Sequence, residues 1–410
     1  MSIIKKQDTG WQSGMSKSVT FIVTKDCQLA CKYCYLVGKN SKERMSWDIA
    51  KKTIDYILDY EHECQEDSIV WDFIGGEPFL EIELIDKICD YIKNEMFRRN
   101  SRWFNSYRFS FSTNGINYHT NKVQSFIRKN KNHLSIGITI DGTKEKHDLN
   151  RIWKTTDNKP LERGSYDDVV RNIPLWLKQF PNAGTKVTIS SDDIPYICDS
   201  VMHLFSLGIH TVNINVVFEN VWKEGDDKLF EEQLIKLADS IIDNECYQDF
   251  ICSFFSENIG KPLDPELDNQ NWCGAGKMLA VDALGNFYPC NRFAQFSLRE
   301  KPAWIIGTVN EGVDKNKIRS FLCLDRRSQS NQKCFDCEVA SGCAWCQGEN
   351  YDTADTLTAY QRSTAICKMH KARVRANNYY WNKLYRKLEL EGKREEFESN
   401  KPKVKNNIIC

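Results

Sequence analysis

The chain has no excess of charge of either sign: 56 lysines and arginines stand against 56 aspartates and glutamates. A balanced chain offers no electrostatic footprint for nucleic acid or for an anionic membrane surface. No apolar run reaches the roughly 20 residues of a membrane span. The opening Met1-Ser-Ile-Ile-Lys-Lys-Gln7 lacks the apolar core of a secretory signal. Internal repeats and long low-complexity tracts are also missing. These absences predict a soluble, cytoplasmic protein with no nucleic-acid and no membrane partner. At 410 residues the chain has the length for two or three domains.

What the chain does have is cysteine, 17 in all. In a reducing compartment such cysteines bind metal more often than they form disulfides. Cys64, Cys89, Cys198, Cys246, Cys252 and Cys410 fall in helix-like or tail segments and read as ordinary thiols. The others gather in one early loop and in the last third. The early loop is Thr24-Lys-Asp-Cys27-Gln-Leu-Ala-Cys31-Lys-Tyr-Cys34-Tyr35. Its C-x3-C-x2-C spacing puts three thiolates in one loop, enough for three irons of a [4Fe-4S] cluster. The fourth iron stays open to a small molecule. A C-x2-C pair alone would serve equally as a zinc half-site or a redox motif. Structural zinc, however, takes four ligands from two separated pairs, and no second pair lies nearby.

Strand-like runs rich in β-branched and aromatic residues recur at 19–24, 68–74, 107–112, 134–140, 186–190 and 211–217. Amphipathic segments lie between them, at 48–60, 83–97 and 166–177. Strand–helix alternation predicts an α/β fold with βαβ units and a parallel sheet. The expected organisation is a barrel over 1–222, a charged helical bridge over 223–271, a cysteine-rich domain over 272–370 and a helical tail over 371–410.

The cysteine loop resembles the signature of radical SAM enzymes, and six strand–helix units match their partial (β/α)6 barrel. The resemblance continues at the strand ends, where barrel folds place their chemistry. Gly75-Gly76-Glu77-Pro78 ends the second strand-like run and is similar to the family's GGEP motif. Two glycines allow close backbone approach. A carboxylate can hold an ammonium by a charge-assisted hydrogen bond. The resemblance implies that this turn binds the amino group of S-adenosylmethionine. It places Tyr33 near the adenine, Ser112 and Asn114 at the ribose or methionine, and Ser190 at the ribose. The stretch Asp141–Arg151 resembles the D-G-x4-H-D-x2-R segment of peptide- and sulfatase-modifying members, where the arginine reaches the methionine carboxylate. A planar guanidinium suits that pairing; a surface arginine on a helix is the plainer alternative. The implied chemistry is cofactor cleavage to a 5′-deoxyadenosyl radical, which takes hydrogen from an unactivated carbon. The protein supplies orientation and water exclusion.

A second cysteine set comprises Cys273, Cys290, Cys334-x2-Cys337-x5-Cys343-x2-Cys346 and Cys367. It resembles the SPASM domain, which implies two auxiliary [4Fe-4S] clusters and three clusters in total. One would take Cys334, Cys337, Cys343 and Cys367, the other Cys273, Cys290 and Cys346. Many members carry another cysteine six positions after the first, where this chain has Leu279. Cys323 could fill the vacancy, but its helix-like run predicts a buried thiol; substrate sulfur is the other candidate. A four-thiolate zinc site at Cys334, Cys337, Cys343 and Cys346 is the rival assignment, and it leaves Cys273, Cys290 and Cys367 unexplained.

SPASM members modify ribosomally made peptides or mature sulfatases. Sulfatase-maturing members carry an aspartate base directly after the cysteine equivalent to Cys290; here the residue is Asn291, which cannot take a proton. The pattern is similar to radical SAM maturases of cysteine-rich, C-x-x-x-repeat precursors. It implies a peptide maturase that forms a crosslink, foremost a cysteine thioether. Carbon–carbon (cyclophane-type) crosslinking, anaerobic sulfatase maturation and a non-catalytic iron–sulfur scaffold are the alternatives. Expected partners are a cysteine-rich precursor peptide, an external flavodoxin- or ferredoxin-type electron donor and a separate leader-binding protein. Only 26 residues precede Cys27, so leader binding would fall to that separate protein, to the bridge region or to the C-terminal tail.

Overall fold

The computed structural model describes residues 16–37, 41–266 and 273–401. Strands β1 (Lys17–Thr24), β2 (Ile69–Gly75), β3 (Tyr107–Thr113) and β4 (Leu134–Ile138) pair in that order, all parallel. A two-stranded hairpin follows, β5 (Ile152–Lys154) with β6 (Pro160–Gly164). Strands β7 (Thr185–Ile189), β8 (Thr211–Val216) and β9 (Ile251–Cys252) form a second parallel sheet. Six of these strands, β1 to β4 with β7 and β8, lie where β-branched and aromatic residues cluster. The hairpin and β9 do not carry that signal; β9 is two residues long.

The helices Trp47–Asp59, Ile82–Arg98 and Asn121–Asn130 bury one face each, as their 3.6-residue periodicity requires. Ser46 caps the first, its hydroxyl accepting from the Ile49 amide at 3.2 Å. The segment over 166–177 is not one helix but two short ones, Tyr166–Val170 and Ile173–Gln179, with Pro174 at the start of the second. Proline has no amide proton and is tolerated only in a first turn, which accounts for the break. Beneath the helices, an aromatic layer runs across the sheet. Phe73 stacks on Phe21 at 5.5 Å and on Phe111 at 5.1 Å.

The later chain divides differently from the expected boundaries. Residues 223–271 hold a helix, Asp226–Asp243, but then return to the sheet as β9, so the segment is not a helical bridge alone. Strand β10 (Leu279–Val281) pairs in parallel with β1, placing Val19 opposite Leu279. Strands β11 (Asn286–Tyr288), β12 (Gly307–Thr308) and β13 (Gly312–Val313) add antiparallel to it. One eight-stranded sheet therefore spans the barrel and the start of the cysteine-rich region. The tail helix begins at Cys367 and runs to Leu390, packing on Asp226–Asp243. A shorter helix, Arg394–Asn400, follows. Trp272, the rest of 267–271, the N-terminal residues and the Lys/Asn-rich end with Cys410 lie outside the described residues. Among the described residues no helix is long and apolar enough to cross a membrane.

Candidate active site at the strand ends

The cysteine loop leaves β1 and is held on both sides by backbone. On one side it adds to the hairpin: the Ala30 amide donates to Ile152 O at 2.8 Å and the Lys154 amide to Gln28 O at 3.2 Å. On the other it meets the glycine turn: the amides of Gly76 and Glu77 donate to Thr24 O and Asp26 O, each at 2.9 Å. A Cβ on Gly75 would stand 2.2 Å from Thr24 O, and one on Gly76 would stand 2.2 Å from Asp26 O. Both glycines are thus required by the approach of the two motifs. The Lys154 ammonium closes the loop onto Asp26 at 3.0 Å. Cys27 is buried, while Cys31 and Cys34 are half-buried.

Glu77 is 1% exposed. One of its carboxylate oxygens accepts from the Thr113 hydroxyl at 2.6 Å and the Phe79 amide at 3.1 Å. The other accepts from the Asn114 amide at 2.7 Å. Burial pushes its carboxyl up, against these bonds and Arg151. The side chain therefore locks the turn to the end of β3, with one acceptor position left of about four. Pro78 starts the short 3-10 turn Pro78–Glu81 that follows. Asn114 reaches back to the loop, its amide donating to Gln28 Oε1 at 3.0 Å and lying 3.9 Å from Cys27 Sγ. Ser112 is exposed.

Arg151 is 7% exposed, which removes the surface-helix alternative. Its Nη1 donates to the Tyr33 hydroxyl at 3.0 Å, and its buried Nε has no partner. The Tyr33 hydroxyl in turn donates to Asp141 Oδ2. The Tyr33 phenol therefore ties the cysteine loop to the end of β4. Behind it lies a closed charge network. Lys146, Asp141 and Asp193 are all fully buried, with Lys146 Nζ 3.8 Å from Asp141 and 3.6 Å from Asp193. Burial pushes the Asp141 carboxyl up, but Lys146 and Arg151 outweigh it and hold it below the usual range. His147 is held down to about 3 by burial and by Arg151, so it is neutral there. Ser190 donates its hydroxyl to Asp193 at 2.7 Å and so belongs to this network.

Nothing in the sequence marks Lys146 and Asp193 as partners, because one follows β4 and the other follows β7. Asp72 was missed for the same reason. It sits in β2 between Thr20 and Ser110 of the neighbouring strands, and burial pushes its carboxyl up to about 6.

The C-terminal cysteines separate into two neighbourhoods. Burial pushes the Cys343 thiol up, Arg362 pulls it down, and Cys367, Cys334 and Cys337 push it up again, so these three thiols lie within electrostatic reach of Cys343. Cys290 lies beside Tyr35 together with Cys34, and Cys346 lies beside Arg292, which stacks on Tyr35 at 4.7 Å. The Gly276 amide donates to Pro289 O at 3.1 Å and brings the Cys273 turn to Cys290. Asn291 donates its amide to the Tyr35 hydroxyl at 2.8 Å. Cys323 does not follow expectation: it caps the helix Lys315–Leu322 and is exposed rather than buried. That helix buries Phe321 instead, against Gly276, so the adjacent thiol turns outward. A tetrahedral zinc site needs sulfurs about 2.3 Å from one ion. Among the described residues, no group of three or more His, Cys, Asp or Glu side chains is gathered to hold a single ion.

Residues 13–161 match a family described as a 4Fe-4S single cluster domain. An uncharacterized protein of Methanocaldococcus jannaschii is 26% identical over 74% of this chain and 91% of its own. The serine-type anaerobic sulfatase-maturating enzyme of Bacteroides thetaiotaomicron is 24% identical over 77% of this chain and 78% of its own. Among solved structures, native anSMEcpe with bound AdoMet and Kp18Cys peptide superposes with a TM-score of 0.63 at 17% identity. It covers 90% of this chain and 99% of its own. Streptococcus suis SuiB bound to precursor peptide SuiA gives 0.56 at 13% identity, over 85% and 75%. The cysteine loop and the glycine–glutamate turn bonded to it both lie inside the matched residues, and the chain is similar to a sulfatase-maturating enzyme in sequence and shares the fold of the two peptide-bound structures.

Proposed function

We propose that this enzyme installs a crosslink, a cysteine thioether, in a ribosomally made precursor peptide, using S-adenosylmethionine and three [4Fe-4S] clusters. One observation carries the reading. The three thiols of Cys27, Cys31 and Cys34, the Gly75–Pro78 turn and the Arg151 guanidinium form one interlocked assembly at the strand ends.

The residues fit the groups assigned to them. Three thiolates in one loop are soft donors suited to iron–sulfur clusters. The unpartnered buried Nε of Arg151 needs an acceptor, and a carboxylate supplies one. Together, bound cluster and cofactor supply reductive cleavage of the sulfonium to a 5′-deoxyadenosyl radical. The chain's own part is to bind and orient. Arg151 holds the carboxylate end, the glycine turn lies against the cluster loop, and Tyr33 ties both to β4. Cys334, Cys337, Cys343 and Cys367 hold a distal auxiliary cluster, and Cys273, Cys290 and Cys346 a near one. Electrons come from a flavodoxin- or ferredoxin-type donor.

A peptide substrate is supported by the two structural neighbours, each solved with a peptide bound. Sulfatase maturation is the second reading, favoured by the Bacteroides thetaiotaomicron relative. Against it stands Asn291, whose amide is a hydrogen-bond donor to Tyr35 where a base should accept a proton.

Anaerobically reconstituted protein tests the assignment. It should carry roughly twelve irons, four per cluster, and release 5′-deoxyadenosine. The Cys27→Ala/Cys31→Ala/Cys34→Ala variant should keep roughly eight irons and release none. Cofactor cleavage by that variant overturns the active-loop assignment. With a cysteine-rich precursor the product should lose two hydrogens per crosslink and one thiol. Formylglycine on a sulfatase peptide would establish the second reading instead.

A further inference from the structure

Arg151 is the cation that a cofactor carboxylate would meet, yet a buried carboxylate already stands one phenol away from it. Arg151 Nη1 donates to the Tyr33 hydroxyl at 3.0 Å, and that hydroxyl donates to Asp141 Oδ2. Opposite charges so close in a water-poor interior attract strongly. Arg151 Nε nevertheless has no hydrogen-bond partner, and neither has Asp141 Oδ1. A second cation, Lys146, shares this interior. It stands on the short helix Lys144–Asn150, and its side chain is fully buried. Its ammonium donates to Thr188 O at 2.8 Å, in β7. The same nitrogen lies 3.8 Å from Asp141 Oδ2, 3.6 Å from Asp193 Oδ1 and 5.9 Å from the centre of the Tyr33 ring.

The two acids of this circuit depend on Lys146 unequally. Asp193 accepts from the Asn150 side-chain amide at 2.6 Å, the Ser190 backbone amide at 2.8 Å and the Ser190 hydroxyl at 2.7 Å. Three donors can hold a buried carboxylate ionised without a cation. The Asp141 carboxylate accepts from the Tyr33 hydroxyl alone among the described residues. A buried carboxylate with one hydrogen bond needs a cation beside it, and Lys146 is the one within ion-pair distance. Two carboxylates and two cations then balance, Asp141 and Asp193 against Lys146 and Arg151.

We propose that Lys146 is a positioning residue for cofactor binding: it neutralises Asp141, so that Arg151 is not drawn into a direct ion pair and stays free for a carboxylate. Without Lys146, Arg151 is the remaining cation of the circuit, and its unpartnered Nε turns to the unpartnered Oδ1 of Asp141. Lys146 itself touches neither the cofactor nor the reacting atoms. The inference rests on the reading of Arg151 as the carboxylate-binding group and deepens it.

The test is calorimetry of S-adenosylmethionine binding to the anaerobically reconstituted protein. Lys146→Met should bind it about tenfold or more weakly, with unchanged iron content. Lys146→Met/Asp141→Asn removes the acid together with its cation and leaves Asp193 balanced by Arg151. This double variant should regain most of the affinity, because an amide oxygen still accepts from Tyr33 and no longer competes for Arg151. With dithionite as electron source, Lys146→Met should raise the KM for the cofactor and leave kcat for 5′-deoxyadenosine release unchanged. Unchanged affinity in Lys146→Met overturns the proposal. A double variant as weak as the single one overturns it too, since Lys146 then supports the fold and not Arg151. If Lys146→Met does not fold, the double variant decides: affinity near that of the unmodified protein upholds the proposal, and weak binding or a second failure to fold overturns it. Unmodified protein that binds no S-adenosylmethionine overturns the cofactor reading itself.

Discussion

The two cysteine regions are built on opposite principles. The early loop is framed before any cofactor enters. Its backbone is bonded to the hairpin and to the glycine turn, and Asn114, Tyr33 and Lys154 hold it from three strand ends or their connections. The distal region is tied at fewer, scattered points: Ser341 exchanges backbone bonds with Gly260 and Lys261, and His370 bonds Val339 O. Residues 315–353 hold only short helices of four to eight residues, and all five of their thiols are half-buried or exposed. Elements that short do not persist on their own. The difference teaches that a site can be positioned by its scaffold or by its metal.

Removing the metal should break the comparison most visibly. Apo protein prepared without iron should be cut by protease first within 326–366, and the barrel should resist. Metal binding in such regions is itself folding free energy. Equal protease resistance in both regions would show that the distal fold is preformed after all.

Arg151→Ala comes next in size. It removes a charge-assisted bond worth roughly 1.5–3 kcal/mol, so affinity for S-adenosylmethionine should fall about tenfold or more. Iron content should be unchanged, because the loop keeps its backbone frame. Calorimetry gives the affinity, and a parallel loss of iron would show that Arg151 supports the loop and not the cofactor.

The smallest effect concerns the inside of the barrel. The Asp72 carboxyl sits at about 6 in the folded protein, above its ordinary 3.8, because it is buried. Below the ordinary value it is protonated whether folded or not and has no effect on stability. As pH rises through 6, the folded state must ionise a group that burial keeps neutral, so stability falls. Asp72→Asn should therefore stabilise the protein by roughly 1–2 kcal/mol near neutrality and by nothing in acid, read as a pH-dependent Tm difference. A constant difference across pH would assign the effect to packing.

Much of the catalytic loop was legible because its information is local. Cysteine spacing, two glycines before an acid, and a proline in the first turn each depend on neighbours a few residues away. The six main strands were legible for the same reason, from β-branched and aromatic runs. What escaped had partners far along the chain. Cys323 was read as buried from helical periodicity, but the face that turns inward is set by Phe321 packing on Gly276. The helical bridge was read from charge, and β9 within it is too short to show a pattern. Glu77 is legible as an ammonium-binding group, but its three hydrogen bonds, which also lock the end of β2 to the end of β3, are not.

By itself the sequence determined the three-cysteine loop, the glycine turn and the alternation that makes a parallel sheet. All of these follow from residue types at short spacing. Only the tertiary structure decided that β10 joins β1, so that the cysteine-rich region grows out of the barrel's own sheet. It alone closed the buried circuit of Tyr33, Asp141, Arg151, Lys146 and Asp193. Burial and charge pairing depend on which strands become neighbours, and that is a property of the whole fold rather than of any segment.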